Sequence, residues 1–327
     1  MARYKSTYVF PWHPEWSARV ESIDVRLGRV SALARLTRSI GPAILQGASG
    51  FNRGYVDIVA AAMLARQGAP VLLAEATWQP GSRALDRLLK APAPVGFDGE
   101  PRYGRRLGRR AIRMVDRANV HYAVLSRDEL VTFPRVWGVD PARVHFIPFC
   151  ATAGSLELEP TGHGVLASGN SLRDYRALIE AAPKIGDDLT LATKLPLPAI
   201  TAPNIEAGFL PPAQHDALAR SAAVVVVPLL ANTERSAGQQ TYLNAMGRGK
   251  PVVVTDAPGV RDYIAHEETG LIVSNEPEAL GDAVNRLLTD RQLAQRLGEA
   301  ARAEVHSRFG IGAYVRRLLE LADRVLE

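Results

Sequence analysis

Short unbroken runs of apolar residues alternate along this chain with longer segments in which apolar positions recur every three or four residues. The least ambiguous run is Ala223-Val-Val-Val-Val-Pro. A run so short and continuous reads as a strand buried on both faces, and the longer period as a helix with one covered face. In the front half the pattern predicts strands at 8–11, 42–46, 70–76, 120–126 and 144–148. Helices are expected at about 25–40, 56–66, about 104–118 and about 127–137. The alternation restarts with strands at 164–168, 189–193, 205–208, 223–228, 251–255 and 270–273. Helices at 172–182, 212–221, 238–248 and 260–265, and three more before the end, fill the gaps. Such alternation indicates parallel strands joined by right-handed crossovers. Between the two halves, residues 151–162 mix small, acidic and breaker residues without either period and read as a linker. No period of about 20–50 residues repeats, so a solenoid is excluded.

Composition narrows the class. A chain of 327 residues with 47% hydrophobic and 22% charged residues is long enough for two globular domains and needs no disulfide or metal staple. The single cysteine, Cys150, fits a reducing compartment. No apolar run approaches the ~20 residues of a membrane helix, and the N-terminus has no secretory h-region, so a cytoplasmic location is expected. The seven histidines are scattered, with no Cys-x-x-Cys and no His-x-x-x-His, so no metal site is expected. The net charge of +5 is unevenly spread: six arginines and no acid lie between Arg102 and Arg113. Such a face either is solvated or binds phosphate-bearing partners, and peripheral contact with the inner face of a membrane through Arg102–Arg113 is one expectation. No nucleic-acid partner is expected.

The chemistry concentrates between Val224 and Tyr263. A buried strand ends at Pro228, a polar loop follows, and a helix opens near Gly238. A helix N-terminus preceded by small residues leaves backbone N–H groups and a positive dipole end for an anion. Gly238 permits close approach, while Ser236, Ala237, Gln239, Gln240 and Thr241 surround it with N–H, hydroxyl and amide groups. The same residues also suit ordinary helix capping.

Taken together, Gly208-Phe-Leu, Ala219-Arg-Ser-Ala-Ala-Val-Val-Val-Val-Pro, Ser236-Ala-Gly-Gln, Leu243-Asn-Ala-Met-Gly-Arg-Gly-Lys-Pro-Val-Val-Val-Thr, Pro258-Gly-Val-Arg-Asp-Tyr and Glu268-Thr-Gly-Leu-Ile-Val resemble the C-terminal half of GT-B glycosyltransferases. The resemblance is to the retaining, family 4-like group (glycosyl transferases group 1) and spans nearly all of 164–305; over 1–150 only the general layout matches. It implies an α/β fold of two Rossmann-like βα sandwich domains facing a cleft, with the N-terminal domain shortened. The implied divisions are an acceptor-side domain over 1–155, a nucleotide-sugar-binding domain over 160–308, and a C-terminal helix over 309–327 packing back toward the first domain.

The family's donor site carries two glutamates, one for the sugar hydroxyls and one for the ribose. With seven residues between them, these places fall here on Ser236 and Asn244, so neither glutamate is present. Ser236 can still bond a sugar hydroxyl and Asn244 can donate and accept, but a neutral amide is a weaker clamp than a carboxylate. Glu234 stands two residues early as a substitute. Arg173, after Gly169 and Asn170, matches the family's basic residue for the diphosphate, and arginine's fork suits phosphate. Lys194 is expected at the same edge, and Ile205 where the family holds the base. Glu75, at a strand end, is the candidate for acceptor positioning or proton acceptance.

The resemblance thus implies a hexosyl or related transferase that needs no cofactor and takes a nucleoside diphosphate sugar as co-substrate. The acceptor would be a small or lipid-linked molecule, reached with retention and without a metal. Acceptor identity and oligomeric state stay open. The alternatives are a catalytically degenerate nucleotide-binding relative, suggested by the missing glutamates, and a nucleotide-sugar epimerase.

Overall fold

The computed structural model describes residues 3–25, 28–47, 56–78, 109–110, 112–153, 157–158 and 162–327. The chain forms two compact units, Met1–Pro148 together with Tyr314–Glu327, and Phe149–Ala313.

In the first unit the elements run β1 (Tyr4–Ser6), α1 (Pro14–Arg19), β2 (Val20–Ser22), α2 (Arg29–Thr37), β3 (Ala43–Gln46), α3 (Val56–Arg66), β4 (Val71–Ala74), β5 (Val120–Val124), α4 (Glu129–Trp137) and β6 (Val144–Phe146). Residues 109–110 and 112–115, before β5, are helical. The six strands are parallel in the order β2-β1-β3-β4-β5-β6. Alternate residues of β3, β4 and β5 (Ala43, Leu45, Val71, Leu73, Val120, Tyr122) pack in one apolar cluster with Ala32 and Leu36 of α2, Ala60 and Leu64 of α3, Ile112, Val115, and Phe133 and Trp137 of α4.

The first strand is Tyr4–Ser6, not the expected 8–11. The middle residue, Lys5, hides it from an apolar reading: its Nζ donates to the Leu36 and Ser39 carbonyls at the end of α2. Tyr8 and Phe10 instead stack on one another, 5.5 Å between centroids, and Phe10 meets the fully buried Trp16 edge-on at 5.1 Å. Helix α1, also unforeseen, is short and opened by Pro14, with the His13 ring accepting from Trp16 N–H.

The second unit runs β7 (Val165–Ser168), α5 (Arg176–Ala181), β8 (Leu189–Ala192), β9 (Ile205–Gly208), α6 (Pro212–Ser221), β10 (Val224–Val227), α7 (Gln239–Gly247), β11 (Val252–Thr255), β12 (Leu271–Val273), α8 (Pro277–Thr289), α9 (Arg291–Arg308) and α10 (Ile311–Val325). Its six parallel strands lie in the order β12-β11-β10-β7-β8-β9. Every residue of β7, β10 and β11 is buried, as a sheet covered on both faces requires. The expected helix at 172–182 begins only at Arg176, and 260–265 contains a single 3-10 turn, Val260–Asp262.

Although α10 begins in the second unit, its residues from Tyr314 onward belong to the first. There Asp323 accepts from Tyr4 Oη at 2.6 Å and pairs with Arg19 and Arg3. His121 and His145, on neighbouring strands β5 and β6, stack with Nδ1 and Nε2 3.1 Å apart. Burial, with His121 and Arg324 nearby, holds His145 down to about 4, and burial with Arg143 lowers His121. Their folded values lie below the unfolded 6.5, so the unfolded chain takes up more protons on acidification. Stability is therefore fully present above that value and falls between it and about pH 4. Thermal melts across this window should show a decline that His121→Gln/His145→Gln flattens; parallel curves for the two proteins would contradict the assignment.

Candidate functional site

Where neighbouring parallel strands send their connections in opposite directions, the loops beyond their C-terminal ends part and leave a crevice. In the second sheet that point lies between β7, whose successor is β8 on one side, and β10, whose successor is β11 on the other. The two loops are stitched together there: Leu230 N–H donates to the Leu172 carbonyl at 3.1 Å, and Asp174 N–H to the Pro228 carbonyl at 3.0 Å. This pairing delays the start of α5 and fixes Arg173 at the switch point.

The Arg173 guanidinium turns back under the loop, donating to the Ser168 and Ser171 carbonyls and, at 3.0 Å, to Thr241 Oγ1 in the first turn of α7. Gly169 makes room for it: a Cβ there would lie 2.5 Å from Arg173 Nη2, and its φ of +129° is one that residues with side chains rarely adopt. Among the described residues no carboxylate pairs with this buried cation. Burial, with Arg235 close by, lowers it to about 10. An arginine so placed is under-compensated, and an anion beside it would restore the balance.

Helix α7 opens at Gly238, in the left-handed region at φ +91°, and no side chain caps it. Its first-turn N–H groups are left for solvent or a ligand. A Cβ on Gly238 would press within 3.3 Å of Val227, Leu229 and Tyr242, so packing against β10 also demands glycine. Just before the helix, Ser236 is almost fully buried and its hydroxyl accepts from Gln239 Nε2 at 2.6 Å. Ala237 is buried too, and Glu234 is half-buried in the loop.

A cavity of about 390 Å³ lies in this unit. Of the residues read from sequence, it brings together Gly169, Asn170, Gln240, Thr241 and Asn244. Arg173 stands directly behind Thr241. Ser236, Ala237, Gly238, Gln239, Glu234, Lys194 and Ile205 are not part of the lining; Ile205 packs on the apolar core. Asn170 Oδ1 accepts from Lys194 N–H and lies 3.1 Å from Thr193 Oγ1, tying the loops after β7 and β8 together. Exposed Lys194 places Nζ 4.2 Å from the centre of the Phe209 ring.

At the position of the expected ribose contact, Asn244 Oδ1 accepts from the Thr152 and Ala153 N–H groups at 2.7 and 2.9 Å. Gln240 Nε2 donates to Thr152 Oγ1 at 2.8 Å. The segment before β7 is thereby held against α7, with Ala153 in the cavity wall. The lining residues that went unread as site residues in the sequence include Phe209, His215, Asp216 and Arg248. Asp216 accepts from Arg248 at 2.5 Å and from Arg220 at 2.9 Å, which lowers its carboxyl. The readable signal for Arg248 was the spacing Gln240, Asn244, Arg248, one turn apart along α7 and the residue that caps its C-terminus.

In the first unit the strand order places the corresponding switch point between β1 and β3. Glu75 follows β4, next to β3, with φ of +54°. Its carboxylate is buried: Oε1 accepts from Tyr8 Oη at 2.8 Å and Tyr314 Oη at 2.9 Å, and Oε2 from Gln46 Nε2 at 3.1 Å. Burial, reinforced by Glu75, pushes the Tyr8 phenol well above its ordinary range, so it remains a donor.

Of the arginine run, Arg102, Arg105 and Arg106 lie outside the described residues. Arg109 donates to the Val136 and Arg135 carbonyls, while Arg110 and Arg113 are exposed. Among the described residues no group of three or more His, Cys, Asp or Glu could hold a metal ion, and no helix is long and apolar enough to cross a membrane.

Residues 205–304 match the model of the family Glycosyl transferases group 1. A Bacillus subtilis (strain 168) protein named as a candidate glycosyltransferase, YtcC, is 31% identical over 84 residues, 25% of this chain and 21% of that one. The match therefore spans about a fifth of that relative's length. Similar solved structures include Anabaena HepE in complex with UDP-glucose (TM-score 0.66, 13% identity, 98% of this chain and 91% of that one). Sucrose-phosphate synthase from Thermosynechococcus elongatus is also similar (0.63, 16%, 94% and 83%). So is WaaG, a glycosyltransferase involved in lipopolysaccharide biosynthesis (0.54, 14%, 98% and 99%). The two parallel six-stranded sheets with flanking helices are the paired Rossmann-like α/β units of the GT-B fold.

Proposed function

We propose that the chain is a glycosyltransferase that moves a sugar from a nucleoside diphosphate sugar to a small-molecule or lipid-linked acceptor, with retention and without a metal ion. The observation that carries this reading is the buried, carboxylate-free Arg173 beside the uncapped start of α7, at the edge of a cavity lined by that helix. In the transfer, the bond from the anomeric carbon to the acceptor oxygen forms as the bond to the diphosphate oxygen breaks. The acceptor's proton passes to the departing diphosphate. Charge gathering on that diphosphate is met by Arg173 and the α7 N-terminus, both in place before reaction. Glu75, with both oxygens already bonded, acts here as a positioning residue that orients Tyr8 and Tyr314 on the acceptor side.

The family match over 205–304, and the UDP and UDP-glucose complexes of the Anabaena neighbour, support a donor of this class and put the uridine series first in line for testing. Thermal shift with uridine, UMP, UDP and UDP-glucose tests it. A ligand at about a hundred times its Kd adds about 2.7 kcal/mol to stability, so UDP should raise the melting temperature by several degrees and uridine far less. A panel of nucleoside diphosphates that leaves the melting curve unmoved would refute the reading.

A second reading has its own support. Asn244 Oδ1 is taken up by the chain's own Thr152 and Ala153, and the Ser236 hydroxyl by Gln239. A relative that binds nucleotide without turnover fits that arrangement. It predicts a thermal shift with UDP-glucose but no release of UDP on prolonged incubation, with or without acceptors.

A further inference from the structure

On the reading that the donor is a nucleoside diphosphate sugar, we propose that Arg235 is a second phosphate-binding residue. It makes the crevice select a nucleoside diphosphate over a monophosphate. The loops that meet at the switch point each send one guanidinium to the same residue. Arg173 Nη1, from the loop after β7, donates to the Ser171 carbonyl at 2.8 Å. Arg235 Nη2, from the loop after β10, donates to the Ser171 hydroxyl at 2.5 Å, and its Nη1 donates to the Ser236 carbonyl at 3.1 Å. Half-buried Arg235 is thereby held between exposed Ser171 and the uncapped start of α7.

Like charges so placed oppose one another. Burial lowers Arg173, and the nearby charge of Arg235 lowers it further. The empty fold gains nothing electrostatic from bringing both cations to one serine, whereas an anion set between them gains from each. The Ser171 hydroxyl and the Ser236 carbonyl are neutral acceptors, and an ionised phosphate oxygen is a stronger one for the same fork. A monophosphate has a single phosphoryl group, which buried Arg173 and the α7 N-terminus meet. A diphosphate brings a second group and further negative charge, and Arg235 stands where that group can be met. Lys194, expected at this edge from the sequence, instead sets Nζ 4.2 Å from the centre of the Phe209 ring.

Titration calorimetry with UDP and UMP tests this. Arg235→Gln should weaken UDP binding about ten- to a hundredfold, as the loss of a charge-assisted hydrogen bond does, and UMP binding less than about threefold. Arg173→Ala, by contrast, should weaken both. Ser171→Ala keeps the charge but removes the hydroxyl that positions it, so UDP binding should fall by a smaller factor than in Arg235→Gln. Inorganic pyrophosphate, which carries no base, should compete with UDP for the parent protein and far less for Arg235→Gln. The UDP-to-UMP ratio separates recognition from a merely structural role, which would lower both affinities alike and the melting temperature with them. The proposal is overturned if the parent protein binds UDP and UMP equally, if Arg235→Gln keeps the parent's preference, or if pyrophosphate competes equally on both proteins. A parent protein that binds no nucleoside diphosphate at all removes the donor reading itself, and this one with it.

Discussion

Replacing Arg173 with alanine is expected to lower affinity for a nucleoside diphosphate between about thirtyfold and several thousandfold, while the empty protein melts within about 3 °C of the parent. The two halves of this expectation share one cause. Without a ligand the partners of the guanidinium among the described residues are two carbonyls and the Thr241 hydroxyl, and burial lowers it to about 10. A desolvated cation without a counter-charge adds little to folding, so its removal takes away three hydrogen bonds but also relieves an uncompensated charge. Once a diphosphate is present, the same cation is a buried partner for it, and truncation leaves that anion exposed to the full cost. Titration calorimetry with UDP, beside melting of the empty protein, separates the two halves. Unchanged UDP affinity would remove Arg173 from the phosphate site. Arg173→Lys should recover part of the loss, since it keeps the charge and forfeits the fork.

The second large effect lies in the other unit. Glu75→Ala removes the shared acceptor of the buried Tyr8 and Tyr314 hydroxyls and of the half-buried Gln46 amide. Each unsatisfied donor costs about 1–3 kcal/mol. The two hydroxyls, 3.1 Å apart, can satisfy one another in part, leaving a net loss of about 3–4 kcal/mol. At this size that is about 10 °C in melting temperature. Glu75→Gln keeps an acceptor for the tyrosines but sets one amide against another at Gln46, so a smaller loss of about 1–2 kcal/mol is expected. Urea unfolding measures both, and an alanine variant within 1 kcal/mol of the parent would show that the cluster contributes nothing.

Much of this architecture could be read directly. Parallel strand β10 is four consecutive valines and β11 three valines and a threonine, and four consecutive buried β-branched residues read as a strand covered on both faces. β1 escaped because its centre is a lysine whose ammonium is spent on helix carbonyls, and α1 because a histidine cap and a proline start leave no periodic signature in six residues. At the site, a cation after β7 was legible from its place in the motif, but not its burial, which comes from a long-range clamp between Leu172–Asp174 and Pro228–Leu230. Nor could the sequence tell that Asn244 would turn its carbonyl toward Thr152, since that contact joins residues 92 positions apart. His215 and Asp216 reach the cavity wall only because α6 lies along it, a tertiary fact without a local signal.

The last helix carries a consequence for how the protein is made. Because Tyr314 to Glu327 belong with the first unit, the ribosome finishes the whole second unit before delivering the side chains that close the first. Until then Glu75 lacks the Tyr314 hydroxyl, and Tyr4 and Arg19 lack Asp323. The N-terminal sheet therefore lacks these closing contacts throughout the synthesis of Phe149 to Ala313.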